Sequence, residues 1–195
     1  MKPDSWSNLL NPNILKANLV KTSMFITSFE LLKDNIINHL KSLYSDGHNI
    51  KEGLILNENY QLKVLARAKS PLYASLGWYK ENKAIDQEDI EQFNRIKDYR
   101  NKLTHEMADS IFKGIDEKEY YSLFLRLIQL FEKIDRWWII NFELAIDDDI
   151  DMELVDTESI QSGPVLMLKV MFDIVTSDNE ESWKYYNDFV ETYKK

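Results

Sequence analysis

The sequence predicts an all-α protein: an antiparallel helical bundle of four to five long helices with a short C-terminal helical appendage. Three observations predict it. Only 5 glycines and 4 prolines interrupt 195 residues. Apolar residues recur at steps of three and four over long stretches, the spacing that lines one face of a helix. No polar–apolar alternation reaches the length of a strand. A chain of this size buries one good core rather than two. The expected organisation is therefore a bundle over residues 1–146, followed by an acidic linker and helical appendage over 147–195.

Each element has a local cause. Asn11-Pro12 reads as an N-cap with proline at the first helical position. Phe25, Phe29, Leu32, Ile36, Leu40 and Leu43 then mark one face of a long helix ending near Ser45, with Asp46-Gly47 as its stop. A polar loop follows, and Tyr60 to Ala68 and Pro71 to Asn82 form a second helical region divided at Ser70-Pro71. Asp86 opens a third helix, with Ile90, Phe93, Ile96, Tyr99 and Leu103 at helical spacing. Asp116 and Glu119 form a candidate capping box for a fourth, which continues through Phe124, Ile128, Phe131, Trp138 and Phe142. That helix is apolar on most sides, which places it centrally or beneath a partner chain. Pro164 to Val175 and Ser182 to Tyr193 read as two shorter helices, the second with Trp183, Tyr186, Phe189, Val190 and Tyr193 on one face.

Composition narrows the functions. The absence of cysteine excludes disulfides, thiolate nucleophiles and cysteine metal sites, and fits a reducing compartment. Met1-Lys2-Pro3-Asp4 does not open a secretory signal, and Trp137-Trp138-Ile139-Ile140 is far too short to span a bilayer. A cytoplasmic protein without a membrane partner is expected. The net charge of −9 argues against nucleic acid, because phosphate is held by lysine and arginine. The distribution of that charge argues the other way. Residues 1–146 carry 20 Lys+Arg against 20 Asp+Glu, and residues 147–195 carry 4 against 13. Residues 1–85 alone hold 11 basic and 7 acidic side chains, so a locally positive surface survives.

The chemistry concentrates in Arg100-Asn101-Lys102-Leu103-Thr104-His105, on the third helix. His39 and His48 have no comparable neighbours in the sequence. An arginine followed by asparagine, with a histidine after four intervening residues, on a late helix of an all-α bundle, resembles the HEPN superfamily. The likeness covers the motif and the helix layout of roughly residues 11–146. It implies a metal-independent endoribonuclease of a toxin–antitoxin, antiphage or stress-defence setting, with Arg100, Asn101 and His105 as catalytic residues and no cofactor or metal. RNA is its implied substrate, a homodimer its implied state, and a protein antitoxin or regulator a candidate partner.

These residue types suit RNA cleavage. The 2'-hydroxyl of RNA attacks its own phosphate once proton transfer and stabilisation of the extra negative charge are supplied. Imidazole, with a reference pKa of ~6.5, transfers protons at neutral pH, and a guanidinium fork fits phosphate oxygens. Asn101 and His105 are four apart and share a face, so the amide is placed to orient the ring. Five steps of ~100° put Arg100 and His105 roughly 140° apart, too far round one helix for a single copy to surround a phosphate. The resemblance implies the solution, two motifs facing across a two-fold interface. A tyrosine two residues past the histidine, modified in part of the superfamily, is absent: the position is Met107. Glu30 on the first helix is a candidate acid for the same site.

Other features have competing explanations. His105 at a helix C-terminus would be favoured by the dipole without any catalytic role. Arg100 would then be an ordinary ion-pair partner of Glu106 or of an acid on a neighbouring helix. Lys63 and Arg67 are candidate RNA-binding residues on adjacent turns. Trp137-Trp138 suits a core better than base stacking. Asp147, Asp149, Asp151 and Glu158 have the carboxylate spacing of a calcium loop, but Met152 stands where the loop needs glycine, so an acidic linker is expected instead. That acidic part is also placed to compete with RNA for a basic face. No glycine-rich phosphate loop, Gly-x-Ser-x-Gly elbow or His-Glu-x-x-His pair is present. The alternative to the nuclease is a catalytically silent helical module binding a protein partner or a nucleotide.

Overall fold

The structure, a computed structural model, describes residues 3–51, 53–146, 151, 155–177 and 181–193. The described residues are mostly helical, as the composition predicts. In chain order they form α1 (Pro3–Leu10), α2 (Pro12–Leu43), β1 (Ser45–Asn49), β2 (Gly53–Leu56), α3 (Glu58–Lys63), α4 (Pro71–Glu81), α5 (Gln87–His105), α6 (Met107–Lys113), α7 (Glu117–Trp138), α8 (Gly163–Thr176) and α9 (Lys184–Tyr193).

The predicted helix starts carry N-caps, but the reciprocal capping box forms at Asp86 rather than at Asp116. Asn11 leaves the helical backbone conformation, and its Oδ1 accepts from the Asn13 amide at 3.0 Å and from that of Ile14, with Pro12 next in sequence. These bonds satisfy donors that the first helical turn leaves open. Asn11→Ala is expected to destabilise the fold by ~1 kcal/mol or less, read as a lower urea midpoint at unchanged slope. At α5 the capping box is reciprocal: Asp86 accepts from the Asp89 amide at 3.0 Å and Asp89 accepts from the Asp86 amide at 2.9 Å. Asp116 accepts from the Glu119 amide at 3.0 Å, but the Glu119 carboxylate is drawn to Lys102 of α5.

The core lies where α2, α5 and α7 meet. Phe25 of α2 is fully buried, with its ring 4.9 Å from Tyr99 of α5 and 6.0 Å from Phe124 of α7. Further along α2, Phe29 meets Phe93, so α5 runs in the opposite sense to α2. The α7 helix is central, since α2, α5 and α8 all pack on it, but it is amphipathic rather than apolar on most sides: Leu125, Arg126, Gln129 and Lys133 form an exposed face. Val165 and Leu168 of α8 join this same core, and Phe172 stacks on Phe124 at 4.7 Å. The α8 helix packs on both α2 and α7. Trp138 is buried and Trp137 half-buried, against Tyr79, Trp78 and Phe142, so both are core residues.

The fold differs from expectation in four respects. The polar loop after α2 contains a two-stranded antiparallel hairpin, and Asp46-Gly47 lies within its first strand rather than beyond a helix stop. The helical region before Ser70 breaks at Val64 into α3 and a single 3₁₀ turn, Leu65–Arg67. Two short helices, α1 and α6, pack on one another; Trp6 meets Phe112 edge-on and the Asn8 amide donates to the Phe112 carbonyl at 3.2 Å. The fourth helix ends in a widened π turn, Ile139–Glu143, instead of running straight through Phe142.

Candidate functional site

Arg100, Asn101 and His105 all lie on the last turns of α5, and the structure separates them into two groups. Arg100 turns toward α2. Its Nη2 donates to the Glu30 carboxylate, its Nη1 donates to Asn101 Oδ1 at 3.1 Å, and the guanidinium lies 5.5 Å from the centre of the Phe29 ring. Glu30 also takes an ion pair from Lys33 one turn on. Partial burial pushes the Glu30 carboxyl up, but donation from Lys33 and Arg100 outweighs this and holds it below the usual carboxylate range. Glu30 is thus an anion that fixes the guanidinium. The Arg100 Nε is buried without a partner among the described residues.

His105 is the final residue of α5, is exposed, and makes no hydrogen bond or ion pair to the described residues. The helix stops because Glu106 leaves the helical conformation, with its amide still bonded to the Lys102 carbonyl at 2.8 Å. Asn101 does not orient the His105 ring. Its oxygen is committed to Arg100. The motif therefore offers a guanidinium held in place by α2 and, separately, an imidazole open to an incoming group.

Lys63 and Arg67 do not continue this surface as adjacent turns of one helix. Lys63 is exposed at the end of α3, whereas Arg67 sits in the 3₁₀ turn beyond the break, where its guanidinium pairs with Glu81 of α4. The Arg67 stem passes over Gly77, and any added Cβ there would sit 3.5 Å from it. The calcium-type spacing and the linker acids fall largely on residues 147–150 and 152–154, outside the described residues. Among those described, no cluster of three or more His, Cys, Asp or Glu is arranged to hold a metal ion. Also among them, no helix is long and apolar enough to cross a membrane.

A second polar cluster was not visible in the sequence. His39 of α2 stacks on Trp138 with ring centres 4.4 Å apart, and its Nε2 lies 3.4 Å from Asn35 Nδ2. Beside them Asp135 of α7 is buried and accepts from the Ser162 hydroxyl. The signal was a histidine four residues from an asparagine on α2 and a lone aspartate on the apolar α7, residues 96 or more positions apart in sequence that meet only through packing. Burial pushes the His39 imidazole down to about 4. Burial likewise raises the Asp135 carboxyl, only partly offset by the Ser162 hydroxyl and the neighbouring Asn35 amide.

The consequence for stability has a definite sign. Unfolded His39 takes up a proton below its ordinary value of 6.5, whereas the folded ring resists it down to about 4. Stability is therefore complete above about pH 6.5 and is lost as pH falls toward 4. Asp135 acts oppositely, since its raised value favours the fold at low pH and that contribution fades as pH rises. His39→Gln is expected to flatten the fall in urea midpoint between about pH 7 and pH 4.5. An equally steep fall in the variant would place the proton uptake elsewhere.

Comparison of the chain with family models, with curated proteins and with solved structures gave no match.

Proposed function

We propose that the chain is a metal-independent endoribonuclease of the HEPN type, acting as a cytoplasmic homodimer in toxin–antitoxin or antiphage and stress defence. One observation carries it: the motif histidine stands exposed at the end of α5, unpartnered among the described residues, a few positions from a guanidinium fixed by Glu30 and Asn101. In the reaction, one His105 takes the proton of the RNA 2'-hydroxyl as that oxygen attacks the adjacent phosphorus. The bond from phosphorus to the 5'-oxygen breaks, and the second subunit's copy, entering as imidazolium, protonates that leaving oxygen. Arg100 stabilises the negative charge gathered on the phosphate oxygens. The products are a 2',3'-cyclic phosphate and a 5'-hydroxyl. The antiparallel bundle and two-fold pairing belong to this same proposal.

A silent module that binds a protein or a nucleotide is favoured instead by the ion pair itself, since Glu30 already neutralises Arg100. Cleavage of single-stranded RNA in excess EDTA separates the two. Wild-type protein yields cyclic phosphate ends, and Arg100→Ala and His105→Ala both lose the activity at unchanged helical content. Absence of cleavage by pure wild-type protein, or its persistence in both variants, contradicts the nuclease.

A further inference from the structure

The cluster around His39 and Asp135 surrounds a cavity of about 350 Å³ between α2, the π turn that follows α7, and the start of α8. Asn35, His39, Asp135, Glu143 and Ser162 are among its lining residues. Three of these residues carry buried polar atoms without a partner among the described residues: Asn35 Oδ1, His39 Nδ1 and Asp135 Oδ1. Asp135 is only 2% exposed. Leaving such atoms unpaired costs a fold roughly 1–3 kcal/mol each, so three around one cavity call for water or a polar ligand to pair them. The π turn adds to this, because widened turns frequently occur at functional sites. It carries Ile139 and Glu143 to the cavity wall.

We propose that this cavity binds a primary ammonium or guanidinium group. Its chemistry selects against the other classes. The α8 N-terminus alone would favour an anion. Among the described residues, however, no lysine or arginine lines the cavity and two carboxylates do, so a phosphate meets net repulsion. A metal ion lacks its ligands among the described residues. Serine hydrolysis lacks its geometry, since the Ser162 hydroxyl donates to Asp135 and not to the imidazole. What remains unpaired is mainly acceptor capacity: the Asn35 and Asp135 oxygens, with the exposed Glu143 carboxylate at the mouth. A donor-rich cation satisfies the Asn35, Asp135 and Glu143 oxygens at once, while His39 Nδ1, which carries the ring proton when Nε2 accepts from the Asn35 amide, takes no part in holding it. The volume, near the lower limit for small-ligand pockets, suits a compact head group. The site stands apart from Arg100 and His105 and does not depend on the nuclease proposal.

Calorimetric titration and thermal melting of the full chain with agmatine test it, with inorganic phosphate as the opposing probe. Agmatine is expected to bind saturably and raise the melting temperature, while phosphate does neither. Glu143→Gln and Asp135→Asn are each expected to weaken agmatine about tenfold, the size of one charge-assisted hydrogen bond. Glu143 is exposed, so its variant decides the matter if Asp135→Asn fails to fold. A short peptide carrying one arginine identifies the source. Equal or weaker binding than agmatine assigns the site to a free small molecule, and much tighter binding assigns it to a side chain of a partner protein. No saturable binding of agmatine or the peptide, equal affinity in the wild type and Glu143→Gln, or preference for phosphate overturns the proposal.

Discussion

Replacement of His105 by alanine is expected to lower RNA cleavage by about 10²–10⁴-fold, the range that a general acid–base group supplies. Helical content and urea midpoint should barely move. The ring is exposed, lies on the last residue of α5 and makes no bond to the described residues, so its removal falls in the class of near-neutral surface changes. Arg100→Ala makes a poorer probe of catalysis. It deprives Glu30 of its contact across two helices and uncovers the Phe29 ring, so it alters stability as well as chemistry. Glu30 keeps Lys33, which limits the damage. Initial rates in EDTA, paired with circular dichroism, check both. A His105→Ala protein that cuts at the parental rate would remove the histidine from the mechanism.

Phe25→Ala is expected to destabilise the fold by about 3–5 kcal/mol, the usual cost of deleting a fully buried aromatic ring. Against a total of roughly 5–15 kcal/mol for a domain, that removes a large fraction of the stability. The size follows from position. Phe25 is fully buried and touches Tyr99, Tyr120 and Phe124, so its ring is where α2, α5 and α7 share one contact. Leu125, on the exposed side of α7, is the control, and truncating it should cost far less. Urea denaturation of both variants measures the difference, and similar midpoints would mean that the three-helix junction is not the centre of the core.

The helices were legible wherever a cap and a periodic face coincided. Asn11-Pro12, Asp86, and Asp116 with Glu119 announced three long helices because side-chain capping is a local interaction that sequence spacing records. The hairpin was not legible. Its second strand, Gly53-Leu54-Ile55-Leu56, offers only three apolar residues, and those stay half-exposed in the fold, so no alternation reveals it. The π turn was invisible for a different reason: Ile139 to Glu143 continues the apolar pattern of α7, and only the backbone widens.

The two sites divide along the same line. Arg100, Asn101 and His105 stand within six residues, so their proximity could be read directly. The partner of Arg100 could not be fixed that way, and Glu30 was one acid among several until α2 and α5 were packed. The Asn35, His39, Asp135 and Ser162 cluster draws on three elements and has no motif at all. Long-range contacts of this kind carry no spacing for a sequence to show.

The claim on which the nuclease account rests is that two subunits build one reaction centre. Specific activity as a function of chain concentration, measured in excess EDTA alongside sedimentation of the same samples, tests it most directly. The account predicts that cleavage per chain rises in proportion to the dimer fraction and that every product carries a cyclic phosphate end. Constant activity per chain in samples that sediment as monomers, or no cleavage from samples that sediment as dimers, would contradict it.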